Sequence, residues 1–212
     1  MRRAGLSTAR RSGFTIVELL VVMAVIAILA SITIPVISGV KTRQKAKSTK
    51  LLIEQLKLAL DAYANDFGDY PPSDPKVLGL PSNGVNDGIE CLVRCLSTRK
   101  KKGPYYEFKD EELANTDHDL ATANPTDSIM TTRELFEVVD AFGHPLVYMH
   151  NADYDRGQRV QVEDEVVPVK GCKSAKTGQF QDLTKFQLRS LGANGKDDDG
   201  QDDDITSWST GN

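Results

Sequence analysis

The feature that most constrains this chain is a long apolar segment close to its N-terminus. Residues 14–40 contain a single charged residue, Glu18. As an α-helix this segment would extend about 40 Å, which exceeds the roughly 30 Å hydrocarbon core of a bilayer. A buried core helix is the alternative, but a soluble domain of this size does not need so long a stretch without charge. We therefore predict a transmembrane helix over residues 14–40.

Basic residues flank the apolar segment on both sides. Residues 41–50 carry five bases and no acid. The segment before the apolar run has four arginines: Arg2, Arg3, Arg10 and Arg11. Positive charge favours the cytoplasmic side, and the end closest to the start of the first helix usually sets the orientation. We predict a single-pass membrane protein with a cytoplasmic N-terminus and the remainder outside the cytoplasm.

Composition excludes several other classes of protein. The net charge of −4 over 212 residues argues against a nucleic-acid binder, which is usually basic. Three cysteines are too few for a disulfide-built scaffold. Cys172 either pairs with Cys91 or Cys95, or all three are buried thiols. The three histidines have no partner at metal-binding spacing and are predicted to be surface or loop residues. No G-x-S-x-G, H-E-x-x-H or Walker A pattern is present, so we predict that the chain is not an enzyme.

A glycine, a phenylalanine and a glutamate stand at the start of the apolar segment, as RRSGFTIVELL. With this motif the chain resembles the type IV pilin and pseudopilin family, whose basic leader ends in glycine before phenylalanine, with glutamate four residues later. The resemblance implies that prepilin peptidase removes the leader, residues 1–13, by cutting between Gly13 and Phe14. It also implies methylation of the new amine and self-assembly through the helix.

Glu18 is the residue of this segment with the clearest functional expectation. An ionised carboxylate inside a span costs about 2.5–3.5 kcal/mol on insertion scales, and such residues are usually functional. The resemblance implies that Glu18 neutralises the Phe14 amine of a neighbouring subunit; the alternative is that its side chain reaches the headgroups.

The family also places a proline at the position of Pro35, where the helix can open in fibres, although a tolerated kink fits equally well.

The chain beyond residue 40 predicts an amphipathic helix and a small mixed domain. Apolar residues recur at helical spacing within residues 41–67: Leu52, Leu56, Leu60, Tyr63 and Phe67. Gly68, followed by prolines, ends one long helix over about residues 14–66. A second helix is predicted at 88–96 and strands of a small antiparallel sheet at 146–149, 166–169 and 186–191. The predicted fold class is α+β.

Further landmarks narrow the resemblance to the major pseudopilins of type II secretion. The run LALDAYANDFGDYPPS at the helix end, GPYY at 103–106, DAFGHPLVY at 140–148 and the C-terminal residues 186–208 follow the order of that family. The resemblance implies a pilin-like fold, with residues 68–212 as a periplasmic globular domain. Residues 107–135 and 151–180 look like insertions, the second of them a hairpin or loop.

Six aspartates lie between residues 197 and 204. A solvated acidic tail is one interpretation, but apolar residues bracket the run on both sides. Carboxylates on a glycine-containing loop suit Ca²⁺, and the sequence does not fit an EF-hand. The resemblance implies a calcium loop at 191–208 with these ligands: Leu191 through its backbone oxygen, Asn194, Asp202, Asp203 and Asp204.

The resemblance implies a structural subunit of the periplasmic pseudopilus that drives protein export across the outer membrane. Its implied partners are further copies of the chain, prepilin peptidase, the minor pseudopilins, the inner-membrane assembly platform and the membrane itself. No nucleic acid is expected. Two alternatives stay open: a type IV pilin of a surface pilus, and a membrane-anchored, calcium-binding periplasmic protein that does not polymerise.

Overall fold

The computed structural model describes residues 14–208, without the side chains of residues 31–38. Within residues 14–208, three α-helices and seven strands follow one another, with two short 3-10 helices at Asp110–Glu112 and Asn151–Asp153. The helices are α1 (Ile16–Phe67), α2 (Pro75–Leu78) and α3 (Asp87–Leu96). The strands are β1 (Leu113–Ala114), β2 (Glu137–Val138), β3 (Val147–His150), β4 (Gln158–Val162), β5 (Glu165–Val169), β6 (Phe186–Ser190) and β7 (Ile205–Thr206). The chain divides between Thr42 and Arg43 into two compact units.

In the first unit, the apolar side chains of α1 that the structure describes are exposed. The exposed fraction is 84% for Ile16, 62% for Met23 and 60% for Leu29. Within the described residues, no helix combines the length and the apolar character needed to cross a membrane. The transmembrane helix predicted over 14–40 is therefore not confirmed. The leader with Gly13 and the side chain of Pro35 lie outside the described residues, so their roles stay predictions.

In the second unit, the rest of α1 buries the apolar stripe that the sequence predicts. Leu56 and Leu60 are fully buried, and Tyr63 is 8% exposed. Phe67 departs from the expectation because it is 38% exposed, although its ring stacks on that of Tyr63. The helix ends at Gly68, whose φ of +87° is accessible to glycine at little cost. The predicted end of the helix is thus confirmed.

The helix α3 and the strands β3 and β6 complete the main core with α1. This core contains Ile89 and Leu92 from α3, Tyr148 from β3 and Leu188 from β6. Tyr148 is fully buried, and its hydroxyl donates to the carbonyl of Pro71 at 2.6 Å. The helix predicted at 88–96 is confirmed by α3.

The strands form three small antiparallel sheets with the orders β1-β2, β3-β6-β7 and β4-β5. The expectation of one sheet is therefore wrong. The strand predicted at 166–169 belongs to the hairpin β4-β5, where Val162 pairs with Glu165 across a two-residue turn. The strands predicted at 146–149 and 186–191 are confirmed as the antiparallel pair β3-β6.

The sheet β3-β6-β7 is covered on both faces. Val147 and Met149 of β3 pack in a second apolar cluster with Val160 and Val169 of the hairpin β4-β5. The hairpin occupies the second predicted insertion, residues 151–180, as expected. The first, residues 107–135, contains one 3-10 helix, β1 and isolated bridges such as Leu120 with Glu134.

Candidate functional site

The N-terminal motif forms a capping box at the start of α1. The carboxylate of Glu18 accepts hydrogen bonds from the backbone N–H and the hydroxyl of Thr15, both at 2.8 Å. In return, the hydroxyl oxygen of Thr15 accepts from the backbone N–H of Glu18 at 3.2 Å. A side chain at this position satisfies N–H groups that the first helical turn leaves without partners. Glu18 therefore has a local role in addition to any role between subunits.

Phe14 precedes this capping box and is 78% exposed. The sequence analysis missed Thr15, although the spacing Thr-x-x-Glu before an apolar run is the usual signature of a capping box. The carboxylate of Glu18 is exposed as well as bonded. It is consequently available to a cation from another molecule, such as an amine on a neighbouring chain.

The acidic loop, residues 191–208, is closed at its base by two strands. Arg189 pairs with Thr206 and Ser190 with Ile205 where β6 meets β7. Trp208, just beyond β7, is 8% exposed. A solvated tail would have no such closure, so the aspartates belong to an ordered loop.

Two of the predicted calcium ligands, Asp203 and Asp204, hold the turns of this loop. One oxygen of Asp203 accepts from the backbone N–H groups of Ala193 at 2.7 Å and Asn194 at 3.0 Å. One oxygen of Asp204 accepts from those of Asp198 at 3.1 Å and Gly200 at 2.8 Å. The other oxygen of each carboxylate is buried without a hydrogen-bond partner. These two oxygens fit a cation bound in the loop.

Asp204 is held in a setting that disfavours its charge. Burial, the largest cause, and the nearby carboxylates of Asp197 and Asp198 raise the pKa of Asp204 to about 7. A bound cation would reverse this effect, because it favours the ionised form of a carboxylate.

The structure gives less support to the other three predicted calcium ligands. Asp202 is exposed, and the side-chain oxygen of Asn194 accepts from the backbone N–H of Lys196 at 2.7 Å. Leu191 is fully buried. In the described part of the chain, no group of three carboxylates close enough to share an ion includes Asp202, Asp203 or Asp204.

A buried arginine, which the sequence analysis did not consider, supplies positive charge to the loop. Arg189 is fully buried, and its guanidinium donates to both oxygens of Asp197, at 2.9 Å from Nη2. Its Nη2 also donates to the carbonyl of Lys170 at 2.9 Å. Part of the negative charge of the loop is therefore neutralised within the chain.

The DAFGH turn contacts the acidic loop through polar side chains. His144 is 8% exposed, and its Nδ1 lies 3.0 Å from the carbonyl oxygen of Gly192. Asp140 accepts a short hydrogen bond from the hydroxyl of Ser190. His144 lies in a loop, as the prediction of a surface or loop histidine allows, but the acidic loop covers its side chain.

The three cysteines are separate buried thiols: Cys91, Cys95 and Cys172. Burial is the largest cause that raises the pKa of Cys172, to about 12, and of Cys95, to about 11. Of the two alternatives that the sequence left open, the structure supports buried thiols.

Comparisons with known proteins give results consistent with the N-terminal motif. Residues 8–34 match the family model described as the prokaryotic N-terminal methylation motif. A type IV major pilin protein PilE1 of Neisseria gonorrhoeae is 27% identical over 134 residues, or 51% of this chain and 81% of the relative. Another PilE1 protein of that species is 31% identical over 152 residues, or 59% of this chain and 84% of the relative.

Secretion proteins are also among the relatives. The type II secretion system core protein G of Pectobacterium carotovorum subsp. carotovorum is 40% identical over 96 residues, or 40% of this chain and 60% of the relative. The chain thus spans about three fifths of this core protein G and more than four fifths of the two pilins named above. No solved structure matches the chain significantly. The methylation motif and the pilin relative matched over 84% of its length show that this chain belongs to the type IV pilin-like family, which includes the pseudopilins.

Proposed function

We propose that this chain is a structural subunit of the periplasmic pseudopilus of a type II secretion system. The observation that carries the proposal is the exposed apolar half of α1, which begins at the methylation motif. An apolar surface of this extent marks a site of contact with lipid or with protein. In the proposed life cycle the segment lies first in the inner membrane and then in the core of a homopolymer. The chain itself catalyses no reaction.

The proposal gives the N-terminal residues successive roles. Prepilin peptidase cuts between Gly13 and Phe14, and the new amine of Phe14 is methylated. Glu18 of one subunit then pairs with the Phe14 amine of a neighbour, and Pro35 lets the helix adjust in the fibre. The exposed carboxylate of Glu18 supports this pairing. Minor pseudopilins and an inner-membrane platform are the proposed assembly partners, and the second unit lies in the periplasm.

We also propose that the acidic loop binds Ca²⁺. The buried, unpartnered oxygens of Asp203 and Asp204 support this proposal, with Leu191, Asn194 and Asp202 as further ligands from the family resemblance. When bound, the ion would supply the positive charge that these carboxylates lack. Trp208 is the only tryptophan, and a Cβ added to Gly200 would lie 2.8 Å from its ring. The indole is therefore a direct reporter on the loop.

The calcium proposal is tested by tryptophan fluorescence of the full chain in detergent. Calcium should change the emission of Trp208 and slow proteolysis between residues 191 and 208, relative to chain in EGTA. Asp204→Asn should remove both responses, while Asp164→Asn, in the exposed turn between β4 and β5, should retain them. Identical emission and proteolysis with and without millimolar calcium would leave the loop without a calcium role.

A surface type IV pilus is the second candidate function. It is favoured by two of the relatives named type IV major pilin, which match over 81% and 84% of their length, whereas a third matches over 35% and the core protein G of Pectobacterium over 60%. Deleting the coding sequence in the source bacterium distinguishes the two. A pseudopilin deletion traps secreted proteins in the periplasm and leaves surface pili intact. Loss of surface pili with normal secretion would instead establish the pilin role.

A further inference from the structure

A second acidic cluster lies outside the acidic loop, between α3 and the segment that precedes β2. It comprises Glu90 from α3 with Asp117 and Asp119. One carboxylate oxygen from each of the three side chains lies within 4.8 Å of the other two. Neither the pseudopilus proposal nor the calcium loop uses these residues.

Glu90 is the central observation, because it is buried without a partner. Its exposed fraction is 2%, and neither carboxylate oxygen has a hydrogen-bond partner. One oxygen each of Asp117 and Asp119 is also buried and unpartnered. Burying a carboxylate without hydrogen bonds or an opposite charge is costly. Four buried, unpartnered carboxylate oxygens in one cluster require a cation or a proton among them.

No basic side chain meets that need in the described part of the chain. The ion pairs there join other acidic residues. The charged neighbours that act on Glu90 include Asp119, Asp117, Glu137 and Asp87, all of them acids. The cluster therefore concentrates negative charge without an internal counter-charge.

A neighbouring glutamate shows how the fold treats a buried carboxylate that it satisfies by itself. Glu137 is fully buried, yet it accepts from the side-chain amide of Asn86 at 2.9 Å and from the backbone N–H of Thr116 at 3.0 Å. Glu90 has no comparable donors. The difference indicates that Glu90 is arranged for a ligand rather than for an internal hydrogen bond.

The aspartates are fixed in place, and Glu90 lies beside a cavity. The second oxygen of Asp117 accepts from the side chain of Asn83 at 2.9 Å. The side chain of Asn115 accepts from the backbone N–H of Asp119 at 3.1 Å and donates to its carbonyl at 2.9 Å. Glu90 also lines an open cavity of about 280 Å³.

We propose that Glu90, Asp117 and Asp119 form a binding site for a hard divalent cation of the calcium type. Three carboxylates supply the charge and oxygen chemistry that such an ion prefers, and water completes its shell of six to eight ligands. The chemistry excludes zinc as the preferred ion, because the site offers neither thiolate nor imidazole. A proton shared by the carboxylates is the competing occupant, and the experiment separates the two.

The test is calcium binding by the full chain in detergent, measured by calorimetry and equilibrium dialysis. Glu90→Gln and Asp119→Asn should each lower the number of bound calcium ions by one. Glu107→Gln, which alters an exposed glutamate outside the cluster, should leave that number unchanged. Asp204→Asn should also retain the ion that depends on Glu90, since the two sites share no residue. Magnesium should compete only weakly, because the ion keeps an octahedral shell.

Glu90→Gln is expected to fold, because it removes a buried negative charge while preserving shape. In EGTA it should melt at a higher temperature than the wild type, and calcium should raise the melting temperature of the wild type more than that of the variant. If Glu90→Gln and Asp119→Asn bind as many calcium ions as the wild type, a proton occupies the cluster and the metal site is overturned. The same conclusion follows if Asp204→Asn binds no calcium at all.

Discussion

At the scale of single residues, Glu18 combines two roles that the sequence does not separate. Its carboxylate caps the first turn of α1 through Thr15 and stays exposed to a neighbour. Capping depends on hydrogen bonding, whereas pairing with an amine depends on charge. Substitutions at Thr15 and Glu18 can therefore distinguish them.

We predict that Glu18→Gln impairs assembly while Thr15→Ala leaves assembly near the wild-type level. The glutamine can still accept the N–H of Thr15 but carries no charge, whereas Thr15→Ala removes the hydroxyl and retains the charge. Loss of the cap costs about 0.5–2 kcal/mol of local helix stability. Crosslinking of membrane-resident subunits measures the outcome. Equal loss of multimers in both variants would mean that capping, and not charge, is what assembly requires.

Arg189 reduces the repulsion among the carboxylates of the acidic loop. We predict that Arg189→Met lowers the free energy of unfolding by about 3–5 kcal/mol, because Asp197 then remains buried without its partner. Urea unfolding of the full chain, followed by Trp208 fluorescence, measures the loss. Adding Asp197→Asn should restore part of it, and Lys196→Met, an exposed cation of the same loop, should change little. A loss that Asp197→Asn does not reduce would assign the effect to packing.

At the scale of elements, the sequence predicted the features that depend on residues close together in the chain. The buried stripe of α1, its end at Gly68 and the helix α3 all follow from spacing and turn residues. The burial of Arg189 does not, because the hairpin β4-β5 covers the face of β6 on which it lies, and that contact is distant in sequence. For the same reason, the sequence did not predict that Glu90 lies close to Asp117 and Asp119.

An ion pair whose strength depends on pH connects α3 to residues 107–135. Lys100, at 2.7 Å, and Arg94 both pair with Asp127 and lower its pKa from 3.8 to about 2. A lowered pKa in the folded state adds stability above pH 4, which is lost as the pH falls through 2. The side chain of Asp127 is 28% exposed, so solvent screening reduces the contribution to about 1–2 kcal/mol.

We therefore predict that Asp127→Asn is less stable than the wild type at pH 7 and that most of this difference is lost near pH 2. Urea midpoints of both proteins, measured from pH 7 down to pH 2, follow this difference. Asp164→Asn, at an exposed turn, serves as the control at each pH. A difference that persists in full at pH 2 would show that Asp127 acts through its hydrogen bonds and not through its charge.

At the scale of the whole molecule, the two units have opposite surface character. The first exposes apolar side chains along α1, while the second buries two apolar clusters and concentrates its acids in the acidic loop and around Glu90. The sequence indicated this division through its blocks of charge. It could not show which carboxylates are neutralised within the chain, since that depends on packing between elements far apart in sequence.

The leader, residues 1–13, offers a test of the proposed processing step. Its removal deletes four arginines and creates the amine of Phe14 that the proposed pairing with Glu18 requires. We predict that Gly13→Val, which places a branched side chain at the cleavage position, yields a chain that still begins at Met1 and reaches the membrane without forming multimers. Ser12→Ala should be cleaved and assembled like the wild type. Intact mass and crosslinking of membrane fractions, from cells with an active prepilin peptidase, measure both steps. Wild-type levels of multimers from uncleaved Gly13→Val chain would rule out the free Phe14 amine as a requirement for assembly.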